Sequence, residues 1–232
     1  MKIVYLCIAL LFSFSLQAQQ TKASELLDNA ITYHDPQGNW EQFAGEFNIV
    51  LEVPNKPDRI SAVAIDLPQH YFRLSTEQEG KQSFREIKNN DCRFSEDDGS
   101  IATATVSEKA CERTLLFKNY YTYLYGLPMK LKDPGTHIDP QVTKKTFKGK
   151  EYLVIRVTYE EEVGTDIWQF YFNPDTYAME VYQFFKNTDE TTGEYILLTD
   201  EVTIQGIKIP KNRAWYYNKD DGYLATDKLV KE

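Results

Sequence analysis

The chain has 232 residues, a formal net charge of −9 and an aromatic content of 14%. Acidic side chains outnumber basic ones, 35 to 26, which argues against a nucleic-acid partner and gives no reason for electrostatic docking on an anionic membrane. The length suits one domain.

Met1-Lys2 places one positive charge at the N-terminus, and residues 3–16 form an almost wholly apolar, uncharged run whose polar members are Ser13 and Ser15. Leu16-Gln17-Ala18 closes it with a small residue where a signal peptidase cuts. A membrane anchor needs about 20 apolar residues and this run has about 14. Cys7 lies within the run, not ahead of a mature domain, so it is no lipid-attachment site. The expected division is a signal peptide over 1–18 and a single domain over 19–232. Loss of Lys2 takes the charge to −10. The mature chain is expected to be periplasmic or extracellular, monomeric and not integral to a membrane.

Residues 24–33 read as a short helix capped by Ser24, with Leu26, Leu27, Ala30 and Ile31 at helical spacing. His34-Asp35-Pro36-Gln37-Gly38 stops it. Phe47, Ile49, Leu51 and Val53 alternate as a half-buried strand does. Further strands are expected over 60–65, 71–75, 83–88 and 92–96, then an Asp97-Asp98-Gly99 hairpin and a return strand over 101–106. A long helix starts from a Ser107 cap, runs to about Tyr125 and ends at Gly126-Leu127-Pro128. It carries two adjacent stripes, Leu116/Tyr120/Leu124 and Phe117/Tyr121/Tyr125, which together make an apolar face broader than one sheet contact needs. After a surface loop at 134–140, strands joined by short turns fill 142–230, one of them opening at Tyr177 after the Asn173-Pro174-Asp175 turn. The order implies a β-rich α+β fold, in which a large curved antiparallel sheet of roughly eleven or twelve strands forms an open barrel around two helices.

The catalytic inventory is thin. His34, His70 and His137 are far apart, and no hydrolase, zinc-protease, phosphate-loop or dinucleotide motif is present. His34-Asp35 reads either as a general base with its orienting carboxylate or as a helix stop in which Asp35 caps the turn. On the second reading, His34→Ala leaves the fold intact. Asn218-Lys219-Asp220-Asp221-Gly222 only partly mimics a calcium loop and reads as a hairpin tip. No cofactor or metal is expected. Cys92 and Cys111 read as a disulfide pair in an oxidising compartment, since their spacing is not C-x-x-C and no nearby histidine completes a zinc set.

The strongest constellation is aromatic. Trp168, Phe170 and Phe172 share one face of a strand, and Tyr182 and Phe184 share one face of the next. With the helix stripes they make either an ordinary core or the lining of a cavity. The candidate ligand-binding set is Leu116, Tyr120, Tyr121, Leu124, Trp168, Phe170 and Phe172.

Three segments carry a resemblance: Tyr33-His34-Asp35-Pro36-Gln37-Gly38-Asn39-Trp40; Tyr120-Tyr121-Thr122-Tyr123-Leu124-Tyr125-Gly126-Leu127-Pro128; and Asp166-Ile167-Trp168-Gln169-Phe170-Tyr171-Phe172-Asn173-Pro174-Asp175. The first two resemble an uncharacterised family of exported proteins from Bacteroidota. The third, with the overall plan, is similar to the outer-membrane lipoprotein-carrier (Lol-type) superfamily, in which an open barrel with helices in its mouth shelters acyl chains. The chain differs by its cysteine pair and by showing no evident arginine on a hydrophobic strand. The resemblance implies an extracytoplasmic protein holding a lipid or other apolar ligand between sheet and helix. The alternatives are an enzyme using His34 and Asp35 on a small substrate, or a non-catalytic structural protein of the envelope.

Overall fold

A computed structural model describes residues 22–89, 91–96, 108–186 and 188–230. The expected signal peptide, the Asp97-Asp98-Gly99 hairpin, the strand over 101–106 and the Ser107 cap lie outside the described residues.

Helix α1 spans Ala23–His34 and buries Ala23, Leu26, Leu27, Ala30 and His34, a stripe at three- and four-residue spacing. Ser24 is not its cap. Lys22 holds that position without a side-chain bond, and the helix start is tied down instead by a β-bridge from Lys22 to Gln141 and by the Ala23 N–H donating to the Pro140 carbonyl at 3.3 Å. The stop works as the sequence suggests. The two Asp35 carboxylate oxygens accept the N–H groups of Asn39 at 2.7 Å and Trp40 at 2.9 Å, so Asp35 caps the short 3-10 turn Trp40–Gln42.

Five strands then move outward as a meander: β1 Ala44–Glu52, β2 Arg59–Asp66, β3 Tyr71–Gln78, β4 Lys81–Lys88 and β5 Asp91–Glu96. Helix α2, Glu108–Gly126, carries the chain to the opposite edge. There β6 Thr136–Ile138 and β7 Thr143–Phe147 pair with different stretches of β8 Lys150–Tyr159. The meander returns through β9 Ile167–Phe172, β10 Met179–Phe185, β11 Glu194–Ile204, β12 Ile207–Tyr217 and β13 Tyr223–Val230. Among the described residues every ladder is antiparallel, and β13 pairs with β1, so two meanders join at the middle of one sheet of thirteen strands whose ends, β5 and β6, do not meet.

Two expected boundaries shift for local reasons. The stretch read as a surface loop contains β6. The strand expected to open at Tyr177 starts at Met179, because Tyr177 sits at φ 65°, outside the extended region, within a turn capped by the Asn173 side chain.

The core fills the concave side, where both helices lie. A second, smaller cluster of Tyr152, Val154, Tyr171 and Val181 packs on the other face of β8–β10, with Phe147 of β7 against it. Burial on both faces explains why β9 reads as a nearly continuous run of rings. Helix α2 crosses the concave side obliquely. The Cys92–Cys111 disulfide, with Cα atoms 5.6 Å apart, ties its first turns to β5. Further along, Tyr123 lies edge-on to Trp168 of β9, with ring centroids 6.0 Å apart. Gly126 ends the helix against Trp40, where an added Cβ would come within 2.2 Å of the indole. Among the described residues no helix is long and apolar enough to cross a membrane.

Candidate functional site

The two stripes of α2 face different ways. Phe117, Tyr121 and Tyr125 turn toward the sheet with Thr114 and Leu124, whereas Leu116 is 68% exposed and Tyr120 44% exposed. The sheet accepts one whole stripe and the end of the other at Leu124, and the surplus apolar surface inferred from the sequence, Leu116 and Tyr120, stands at the edge of the contact. Of the seven candidate residues, Tyr121, Leu124, Phe170 and Phe172 are packed in the concave core. Tyr120 and Trp168 line an open cleft, and Leu116 is on the outer side of the helix one turn before Tyr120.

That cleft has a volume of about 640 Å³ and runs between α2 and the β8–β9 end of the sheet. Its walls are rings: Tyr120 and Tyr123 from the helix, Tyr159 from β8 and Trp168 from β9. Lys118, Lys130, Asp133, Glu162 and Asp166 stand around it, with Val163 and Gly164 completing one side. The Tyr123 and Tyr159 hydroxyls hydrogen-bond to each other. Burial pushes the Tyr159 phenol up to about 12 and the Tyr123 phenol well above its ordinary value, so both walls are uncharged near neutral pH. Burial also lowers the Lys118 ammonium. Lys130 and Asp133 pair with each other. Trp168 stacks on Phe170 at 5.9 Å and leans on Phe184 at 4.9 Å. It is therefore the outer rung of a ring ladder that starts in the dry core.

Arg213 is the functional-looking residue that the sequence did not disclose. It lies on β12, 1% exposed. One guanidinium nitrogen donates to the Pro210 carbonyl at 3.1 Å, and another to the Leu124 carbonyl in the last turn of α2 at 3.3 Å. The guanidinium stacks 4.0 Å from the Tyr125 ring centroid. A cation at a helix C-terminus is favoured by the helix dipole and supplies a partner to an orphan carbonyl. Directly across on β13 is Asp227, whose carboxyl burial raises above the usual range while Arg213 offsets part of that. A signal was available in Ile207-Lys208-Ile209-Pro210-Lys211-Asn212-Arg213, a charge in a strand that opens with buried apolar residues. Three charges in that stretch made none of them stand out.

His34 and Asp35 do not form a catalytic pair. The imidazole is fully buried. Its Nδ1 meets the Lys208 carbonyl at 2.8 Å and its Nε2 accepts the Met179 N–H at 3.0 Å. Nδ1 therefore carries the proton in a neutral ring, and neither nitrogen is free for proton transfer. Burial lowers the His34 pKa, with the Lys208 bond acting against it. The expectation that His34→Ala leaves the fold intact is corrected here, since the ring pins α1 to β12 and β10. The supposed calcium loop spends its groups internally. Asp221 accepts from the Tyr195 hydroxyl at 2.9 Å and pairs with Lys148, and the Asn218 amide donates to the Phe184 carbonyl at 2.9 Å.

The chain belongs to a family of unknown function, DUF6503, whose model matches residues 1–232. No curated protein matches it. Solved structures share the fold at low identity. A LolA superfamily protein from Nitrosomonas europaea superposes with a TM-score of 0.54 at 11% identity, covering 91% of this chain and 92% of that one. A domain provisionally described as an outer-membrane lipoprotein-sorting protein from Vibrio parahaemolyticus gives 0.51 at 7% identity, with 89% of each chain covered. A DUF1329 family protein from Desulfovibrio piger gives 0.53 at 9% identity, covering 90% of this chain and 91% of that one. The unclosed sheet around two helices is thus a LolA-like fold.

Proposed function

We propose that this DUF6503 member is an extracytoplasmic binding protein that holds a lipid or other apolar ligand in the cleft between α2 and the β8–β9 end of the sheet. One observation carries the reading: a cavity of about 640 Å³ walled by Tyr120, Tyr123, Tyr159 and Trp168, opening beside apolar surface that the sheet does not cover. Its size falls in the range of small-molecule pockets, and its walls have their usual chemistry, apolar bodies with a few polar tips. The LolA-like fold supports the same reading. In it, Tyr120 and Trp168 touch the ligand, and Leu116 extends the apolar surface along the helix. Tyr121, Leu124, Phe170 and Phe172 form the rigid backing. Delivery outside the cytoplasm rests on the expected signal peptide, and the mature chain acts as a monomer.

A ligand that binds only the folded chain raises stability with the logarithm of its concentration over Kd, by about 2.7 kcal/mol at a hundredfold excess over Kd. Thermal unfolding of residues 19–232 with palmitate or lysophosphatidylcholine, below their critical micelle concentrations, should show that rise. An unmoved melting temperature across both ligands rejects the proposal.

A further inference from the structure

The charges around the cleft beside α2 do not cancel. Five charged side chains line it: Lys118 and Lys130, and Asp133, Glu162 and Asp166. Lys130 and Asp133 neutralise each other. Lys118 comes from α2. Burial lowers its ammonium and no carboxylate acts to raise it, so Lys118 is not the counter-ion of the acids on the opposite wall. Those acids come from the connection between β8 and β9: Glu162 within it, and Asp166 as the last residue before β9. Among the described residues neither side chain makes a hydrogen bond or an ion pair. The whole connection, Glu160-Glu161-Glu162-Val163-Gly164-Thr165-Asp166, carries four carboxylates and no cation. The field on this wall of the cleft is therefore negative.

The rings of the cleft stand at steep angles to one another. Tyr123 meets Tyr159 with planes at 74° and centroids 6.2 Å apart, and it meets Trp168 with planes at 65° and centroids 6.0 Å apart. These three rings adjoin as walls and do not stack into a closed slab. Tyr120 adds a fourth ring from the helix. Asp166 lies two residues before Trp168, and both line the cleft, so a full negative charge stands beside the indole. The face of an aromatic ring is itself negative and attracts a cation, most strongly at Trp. Several rings around one space, with carboxylates at the edge, are the chemistry that recognises an ammonium group carrying methyl or alkyl substituents. An anionic head would meet repulsion from the same wall.

We propose that the cleft takes an amphiphile whose head carries an ammonium group, held among Tyr123, Tyr159 and Trp168 with Glu162 and Asp166 as its counter-charges, while the tail lies on Tyr120 and Leu116. This rests on the apolar binding proposed for the same cleft and names the class of ligand. The ammonium belongs either to a simple cationic amphiphile or to a zwitterion, whose anionic group Lys118 then holds from the helix side.

Decyltrimethylammonium, decylphosphocholine and decanoate differ in head and carry tails of similar length. Each is titrated into the folded mature chain below its critical micelle concentration, at constant ionic strength, while tryptophan emission is followed. At least one of the two ammonium heads should bind about tenfold more tightly than decanoate, the worth of a desolvated cation–π contact with its counter-charge. Glu162→Gln combined with Asp166→Asn should erase that preference and leave decanoate binding no weaker. Glu41→Gln combined with Glu151→Gln removes the same charge at exposed positions that do not line the cleft, and should leave the preference intact. Lys118→Gln separates the two sources: a loss confined to decylphosphocholine assigns a zwitterion, and no loss assigns a simple cation. Equal affinity for all three heads, or a preference that survives the paired substitution in the cleft, overturns this inference and leaves the apolar cleft standing. Binding by none of the three rejects both.

Discussion

The two helices share the concave side of one sheet and are held there in opposite ways. Helix α1 is a closed account: its apolar stripe is buried, both ring nitrogens of His34 are bonded, and both oxygens of Asp35 are bonded. Helix α2 is not. It leaves Leu116 and Tyr120 in solvent. It also borders a cleft of about 640 Å³. Satisfied polar groups and closed packing make a plug. Open packing on the same sheet marks where another molecule can fit.

The sharpest way to break the contrast is at the plug. His34→Ala should cost about 3–5 kcal/mol, combining a core cavity with two backbone groups left unpaired. Urea unfolding measures it. A loss under about 1 kcal/mol would mean that α1 is not pinned as described. Next in size is the tether of α2. Reducing the Cys92–Cys111 bond should cost about 3 kcal/mol, the loop entropy returned to the unfolded chain, and thiol labelling before reduction should find neither cysteine.

A smaller effect follows from pH. Burial holds His34 below the ordinary imidazole value. The unfolded chain therefore takes up a proton near pH 6.5 that the folded chain refuses. Its contribution is complete above that pH and is lost as pH falls below it, at up to about 1.4 kcal/mol per unit. Asp227 acts with the opposite sign. Its folded value is raised above the unfolded one, so the penalty it imposes at neutral pH is relieved as pH falls through that raised value. Unfolding at pH 7.5, 6.5 and 5.5 should show the decline in the wild type and a shallower one in His34→Gln. The smallest effect is on the open side of α2, where Leu116→Ser should change stability by less than about 0.5 kcal/mol.

Much of this was legible in local pattern. Period-two alternation located the strands, and the Asp35 stop is written in Pro36-Gln37-Gly38. The cysteine pair needed only a compartment and a spacing. What escaped depends on distant partners. His34 is bonded by residues 145 and 174 positions away, so its sequence neighbour Asp35 looked like its natural partner. The two stripes on α2 were read correctly as too much apolar surface. Which stripe the sheet takes is decided by the path of the helix across the sheet, and nothing in the stripes themselves encodes that. Arg213 was hidden among the charges of its strand until the last turn of α2 was placed over it.

If the aromatic cleft is a binding site, Gly164 is the place to show it. It lines the cleft, and a Cβ added there meets nothing within 4 Å, so Gly164→Leu should fold normally while filling part of the space. Titrating palmitate into both proteins and following tryptophan emission, with Trp168→Phe to identify the responding indole, separates a site from a surface. The expected result is a saturable change in the wild type, lost in Trp168→Phe and weakened at least tenfold in Gly164→Leu at unchanged melting temperature. Equal affinity in the wild type and Gly164→Leu would contradict it.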